Sequence, residues 1–131
     1  MTIELTILGW TLVLALVQIA LASTLRTMET GIGFNMSARD SDGPPKRPIT
    51  ARMQRAQANL FETLPLFAAA VLIAHVAGRH SEQTVLGCQL FLAARVLYLP
   101  LYAAGVPVVR TLVWGVSIWG LIMLFKVILA G

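Results

Sequence analysis

Four side chains set the chemical question. Arg52, Arg55, Asn59 and Glu62 follow 3-4-3 spacing, which on a helix turning ~100° per residue puts them in one narrow stripe. Gln54 and Gln57 point to nearly the opposite face. Directly afterwards comes LFAAAVLIAHVAG, which reads as membrane sequence. A second stripe lies in FLAARVLYLPLY, where Arg95, Tyr98 and Tyr102 stand at i, i+3 and i+7, and a third opens with Arg110 and continues through Trp114 and Ser117. Several guanidiniums, one carboxylate, an amide and phenols make up this set. Arginine forks bind carboxylates in bidentate fashion, and Glu62 suits an amine. The complement is a small ligand with more than one negative group and an ammonium. Glutathione matches it group for group; a dicarboxylate or a phospholipid headgroup matches less fully.

Charges inside a membrane helix are costly and persist where they face a protein interior or wet cavity and find a partner. Arg55 is expected to pair with Glu62 across two turns, with Asn59 between them. Snorkelling to the interface accounts for Arg52. It does not account for Glu62, whose side chain is too short. Tyr102 alone would pass as part of an aromatic belt, but Arg95 belongs within the helix. Pro65 and Pro100 each remove a backbone hydrogen bond and are expected to kink their helices.

These stripes need helices to carry them. Of 131 residues, 57% are hydrophobic and only 12% charged, with mean hydropathy +0.78. That is the balance of a membrane protein. A span takes roughly 20 apolar residues, so the chain holds four and leaves no room for a soluble domain. The expected helices cover 3–25, 55–77, 84–103 and 108–129, with 26–50 as a polar loop rich in Gly, Pro, Ser and charge. The connections GRHSEQ and AGVPVV are short, so neighbouring helices should run antiparallel. The first segment lacks the positive start of a signal peptide and offers only Glu4, so it reads as an anchor.

Arg26, Arg39, Lys46, Arg47, Arg52, Arg55 and Arg110 gather at one face, against Arg79 and Lys126 at the other. The positive-inside rule then puts the 26–50 loop in the cytoplasm and both termini outside. The formal net charge of +4 at such a face attracts anionic lipid rather than nucleic acid. The single cysteine, Cys88, reads as a packing residue. His75 and His80 lack ligand spacing, so no metal is expected.

The pattern Arg52-x-x-Arg55-Ala56-Gln57-x-Asn59-x-x-Glu62-x-x-Pro65, then Arg95-Val96-x-Tyr98-x-x-x-Tyr102, then Arg110 resembles the membrane-associated proteins in eicosanoid and glutathione metabolism, the MAPEG family. Microsomal glutathione transferases, leukotriene C4 synthase and microsomal prostaglandin E synthase belong to it. The resemblance implies an all-α membrane protein with four transmembrane helices per subunit in a left-handed bundle, assembled as a homotrimer. Glutathione would bind between neighbours at the cytoplasmic side. Arg55, Asn59, Glu62, Tyr98, Tyr102 and Arg110 would hold it from one subunit, with Arg52 and Arg95 adding to the cationic lining, and Gln57 and Arg26 would reach it from the next. Ala58 stands where prostaglandin E synthase carries an arginine, and Tyr98 where it has a histidine. Both favour the transferase and leukotriene-synthase side, or an unspecialised bacterial relative.

The implied chemistry is a thiolate formed beside a hydrophobic, membrane-dissolved electrophile, for conjugation or peroxide reduction. Adjacent cations lower a thiol's pKa. A guanidinium acts electrostatically rather than as a base, which makes Arg110 the expected thiolate stabiliser, with Tyr98 or Tyr102 as alternative donors. The hydrophobic substrate would enter from lipid near Trp114. Two rival readings stand beside this one. One is a small four-helix transporter with Glu62 as its coupling carboxylate; the other is a non-catalytic partner binding glutathione or lipid.

Overall fold

In the computed structural model, which describes residues 1–130, Thr2 opens the first helix by accepting the Leu5 amide on its side chain. This satisfies one of the amides a helix start leaves bare. Helix α1 runs Ile3–Thr30, past the end of its apolar stretch, and a short α2 covers Ile32–Met36. Helix α3 spans Pro48–Val76. It starts earlier than its apolar content suggests because Pro48 sits in the first turn, where a missing N–H is harmless and φ is preset. The 26–50 segment is therefore not wholly loop: it holds the end of α1, all of α2 and the start of α3. Helix α4, Glu82–Ala103, begins in a reciprocal capping box between Ser81 and Thr84. Helix α5 spans Pro107–Ala130.

Two glycines turn the chain. α3 and α4 are followed by Gly78 and Gly105, both with φ in the left-handed region, at 69° and 75°. The Arg79 amide reaches back to the Ala74 carbonyl at 2.9 Å, and the Val106 amide to Leu101 at 3.1 Å. These are Schellman closures, which satisfy the last carbonyls and reverse the chain at once. Pro65 and Pro100 each withhold one donor, yet both helices run unbroken through them.

The four long helices are each apolar enough to cross a membrane, which marks an integral multi-pass membrane protein. α3 and α4 occupy the middle. α1 packs on both, α5 packs on both, and among the described residues the backbones of α1 and α5 stay more than 8 Å apart at Cα. Glu4, Leu8, Thr11, Ala15, Gln18 and Ala22, the buried positions of α1, alternate four and three apart, so one seam faces its neighbours along most of the helix. Phe67 of α3 stacks on Phe91 of α4 with centroids 4.1 Å apart. Leu60, Cys88, Leu121 and Leu124 pack around them. α4 and α5 approach closely at Gly87 and Gly120, where a Cβ on Gly120 would stand 2.5 Å from the Gly87 carbonyl oxygen.

Each end of the bundle is tied by one carboxylate. At the start of α1, buried Glu4 accepts from Thr84 at 2.9 Å and lies 2.6 Å from His80 Nδ1. At the other end, Glu29 gathers Arg26, Arg47 and Thr50, joining α1 to the first turn of α3.

Candidate functional site

The central position of α4 decides the polar chemistry. Arg95 and Tyr98 face inward and are only 2% and 4% exposed. Arg95 Nη1 donates to Asn59 Oδ1 of α3 at 2.9 Å, and its guanidinium lies over the Tyr98 ring, 4.5 Å from the centroid. Its Nε and Nη2 are buried with no partner among the described residues. A guanidinium this deep without a carboxylate is costly, so the bundle holds an uncompensated positive charge beside Asn59.

One turn on, Tyr102 meets Tyr98 edge to face at 5.4 Å. Two cations bracket it. The Arg110 guanidinium of α5 stands 4.6 Å from its ring centroid and that of Arg55 on α3 5.8 Å. Arg55 Nε also donates to the phenol oxygen at 3.1 Å. The oxygen thus accepts from Arg55 while its own O–H stays available to donate. Ring faces attract cations, and this holds two like charges near one phenol. The helices therefore bring together Arg55, Asn59, Arg95, Tyr98, Tyr102 and Arg110.

Other expected members are placed differently. Glu62 is exposed and takes part in none of the ion pairs among the described residues. The expected Arg55–Glu62 pair is not formed. Seven residues of helix separate the two by about 10 Å along the axis, and the facing phenol of α4 takes Arg55 instead. Arg52 donates to the Ala103 carbonyl at 3.3 Å and packs on Gly105, so it caps α4, where a cation meets the negative end of the helix dipole. Gln57 lies on the other face of α3 and meets Arg26 from the end of α1 across a cavity of about 250 Å³ that Gln54, Asn35 and Ser23 also line. α3 thus carries polar groups on two faces. Trp114 keeps its indole N–H buried without a partner, while its carbonyl accepts from Ser117 at 2.6 Å.

Two clusters had no signature in the sequence. Glu4 and His80 are 76 positions apart, and Glu29 reaches Arg47 and Thr50 18 and 21 positions on. In each cluster the partners lie on different elements, so only folding brings them together. Glu4, a lone acidic residue in the apolar start of α1, was the one available hint.

The model of the MAPEG family matches residues 7–130, nearly the whole chain. No curated protein matches the chain.

Proposed function

The chain belongs to the MAPEG family, and from that premise we propose that it is a glutathione-dependent membrane enzyme, activating the glutathione thiol for conjugation to, or peroxide reduction of, hydrophobic substrates dissolved in the bilayer. The observation that carries this reading is the cluster around Tyr102: a phenol held between Arg55 and Arg110, beside the unpaired Arg95. Such a site has a surplus of guanidinium N–H groups, and none of its arginines is ion-paired to a carboxylate among the described residues. A ligand with two carboxylates and a thiol supplies the missing charge. Glu62, free of any internal partner, is available for the ligand's ammonium.

Arg110 stands where its charge favours a thiolate over a thiol, since an adjacent cation lowers the thiol pKa. Tyr102 can donate its O–H to the same sulfur, because its oxygen is already oriented by Arg55. Tyr98, beneath Arg95, supports the floor of the site. The electrophile would arrive from lipid past Trp114.

Polar groups on both faces of α3, Arg55 and Glu62 exposed on one and Gln54 and Gln57 partly exposed on the other, support a homotrimer in which Arg26 and Gln57 of one subunit complete the site of the next. In this reading the Arg26 end of the bundle faces the cytoplasm, on the balance of Lys and Arg. Titration of the detergent-purified protein with glutathione in a calorimeter tests the proposal. Saturable binding in the millimolar range or tighter is expected. No heat of binding would overturn it and return Glu62 to the exporter reading.

A further inference from the structure

Arg26 is a long, flexible side chain at the end of α1, yet it is held in place. Its Nη1 donates to Glu29 Oε1 at 2.9 Å and its Nη2 to the Asp42 carbonyl at 2.7 Å. The pair is well shielded, the two side chains being 14% and 8% exposed. A guanidinium has five N–H donors. Two are spent here, and three remain. Arg26 lines both the cavity with Gln54 and Gln57 and an adjoining one of about 740 Å³ shared with Arg39 and Lys46.

Glu29 divides its work between its two oxygens. Oε1 takes Arg26 alone, whereas Oε2 takes the Arg47 amide, Arg47 Nε and the Thr50 hydroxyl. One oxygen thus anchors the carboxylate to the first turn of α3, and the other aims the arginine. The loop closes over this arrangement: a Cβ on Gly43 would stand 3.3 Å from Arg26 Nη2 and 3.0 Å from the Phe34 ring.

We propose that Glu29 is a positioning residue, which orients the Arg26 fork so that its free N–H groups meet a carboxylate of glutathione bound beside the neighbouring subunit; this rests on the glutathione reading above. Orienting an arginine in advance removes the entropy that binding would otherwise have to supply. A bare electrostatic account predicts the opposite sign. Glu29 is a negative charge next to the anion's site, and on charge alone its removal would tighten binding.

The sign is what the experiment reads. Glutathione Kd is measured by calorimetry on the full-length protein for wild type, Glu29→Gln, Arg26→Ala, the double variant and Thr50→Val, with thermal unfolding recorded for each. Glu29→Gln is expected to raise Kd about two- to tenfold, the equivalent of immobilising one such side chain. It should have no further effect once Arg26 is alanine. Thr50→Val removes a donor from Oε2 and leaves Oε1 with Arg26, so it should lower the melting temperature and leave Kd unchanged. An unchanged or tighter Kd in Glu29→Gln overturns the proposal, and so does an equal loss in Thr50→Val. If Glu29→Gln does not fold, Arg26→Lys decides: it keeps the charge but loses the planar fork and two of the five N–H donors, and a wild-type Kd there overturns the proposal too. Wild-type protein that binds no glutathione sinks the functional reading as well; wild-type binding with an indifferent Glu29 sinks only the positioning role.

Discussion

At the scale of single residues, Arg110 and Tyr102 compete for one task. They touch, with the guanidinium 4.6 Å from the ring centroid, so in the proposed reading either would face the glutathione sulfur. An interaction that grows only as the thiolate forms lowers turnover more than ground-state binding. Arg110→Ala is therefore expected to cut kcat strongly while changing glutathione affinity little. The ultraviolet absorbance of the bound thiolate, followed against pH, should show a depressed thiol pKa in wild type and a smaller depression in the variant. Should Tyr102→Phe abolish the depression while Arg110→Ala preserves it, the phenol is the activator. In the proposed reading Glu62 serves binding instead. Glu62→Gln should weaken glutathione about ten- to a hundredfold through loss of a charge-assisted hydrogen bond. Glu82→Gln and Arg79→Ala, at the opposite end of the bundle, should leave affinity unchanged; an equal loss there would point to misfolding rather than to a site.

At the scale of elements, the α4–α5 pair holds the site together, since α4 carries Arg95, Tyr98 and Tyr102 and α5 carries Arg110. Their approach depends on Gly87 and Gly120, which let the two backbones come closer than any side chain would allow. Gly120→Ala puts a methyl 2.5 Å from the Gly87 oxygen and 3.0 Å from the Phe91 amide nitrogen. Both are backbone atoms and cannot step aside, so the helices must separate. The expected cost is about 1–3 kcal/mol of stability, typical of overpacking, measured by unfolding in mixed micelles. Gly9→Ala is the control, because a Cβ there meets nothing within 4 Å; an equal loss at Gly9 would refute the close-packing explanation. These elements were partly legible in advance. Apolar runs announced four helices, but their ends were set by Pro48, Thr2 and Ser81. Helix termini follow capping chemistry, whereas apolar content follows the membrane, and the two need not stop at the same residue.

At the scale of the whole molecule, a single subunit leaves its polar groups poorly covered. Glu62 lies about 21 Å along α3 from Pro48 at 1.5 Å per residue, within a helix apolar enough to cross a membrane, and it is exposed. A bare carboxylate facing hydrocarbon is expensive. Another protein surface is the natural cover, and the homotrimer proposed above supplies one. Native mass spectrometry in mild detergent should give a trimer that survives removal of bound lipid. A spectrum of monomers or dimers alone would count against the shared site and against any role for Arg26 and Gln57 in a neighbour.

The sequence by itself determined the membrane class and the number of long helices, because a continuous apolar run leaves the chain few other choices in lipid. It also placed the polar side chains in stripes, since helical period converts spacing into a face. Which partner each stripe would meet lay beyond that period. Arg55 turned to Tyr102 rather than Glu62, Arg52 to the end of α4, and Arg26 to Glu29. Each of those choices depends on which helix lies opposite and at what height. Only packing sets that height, because a side chain reaches a few ångströms while a sequence motif runs the length of its own helix.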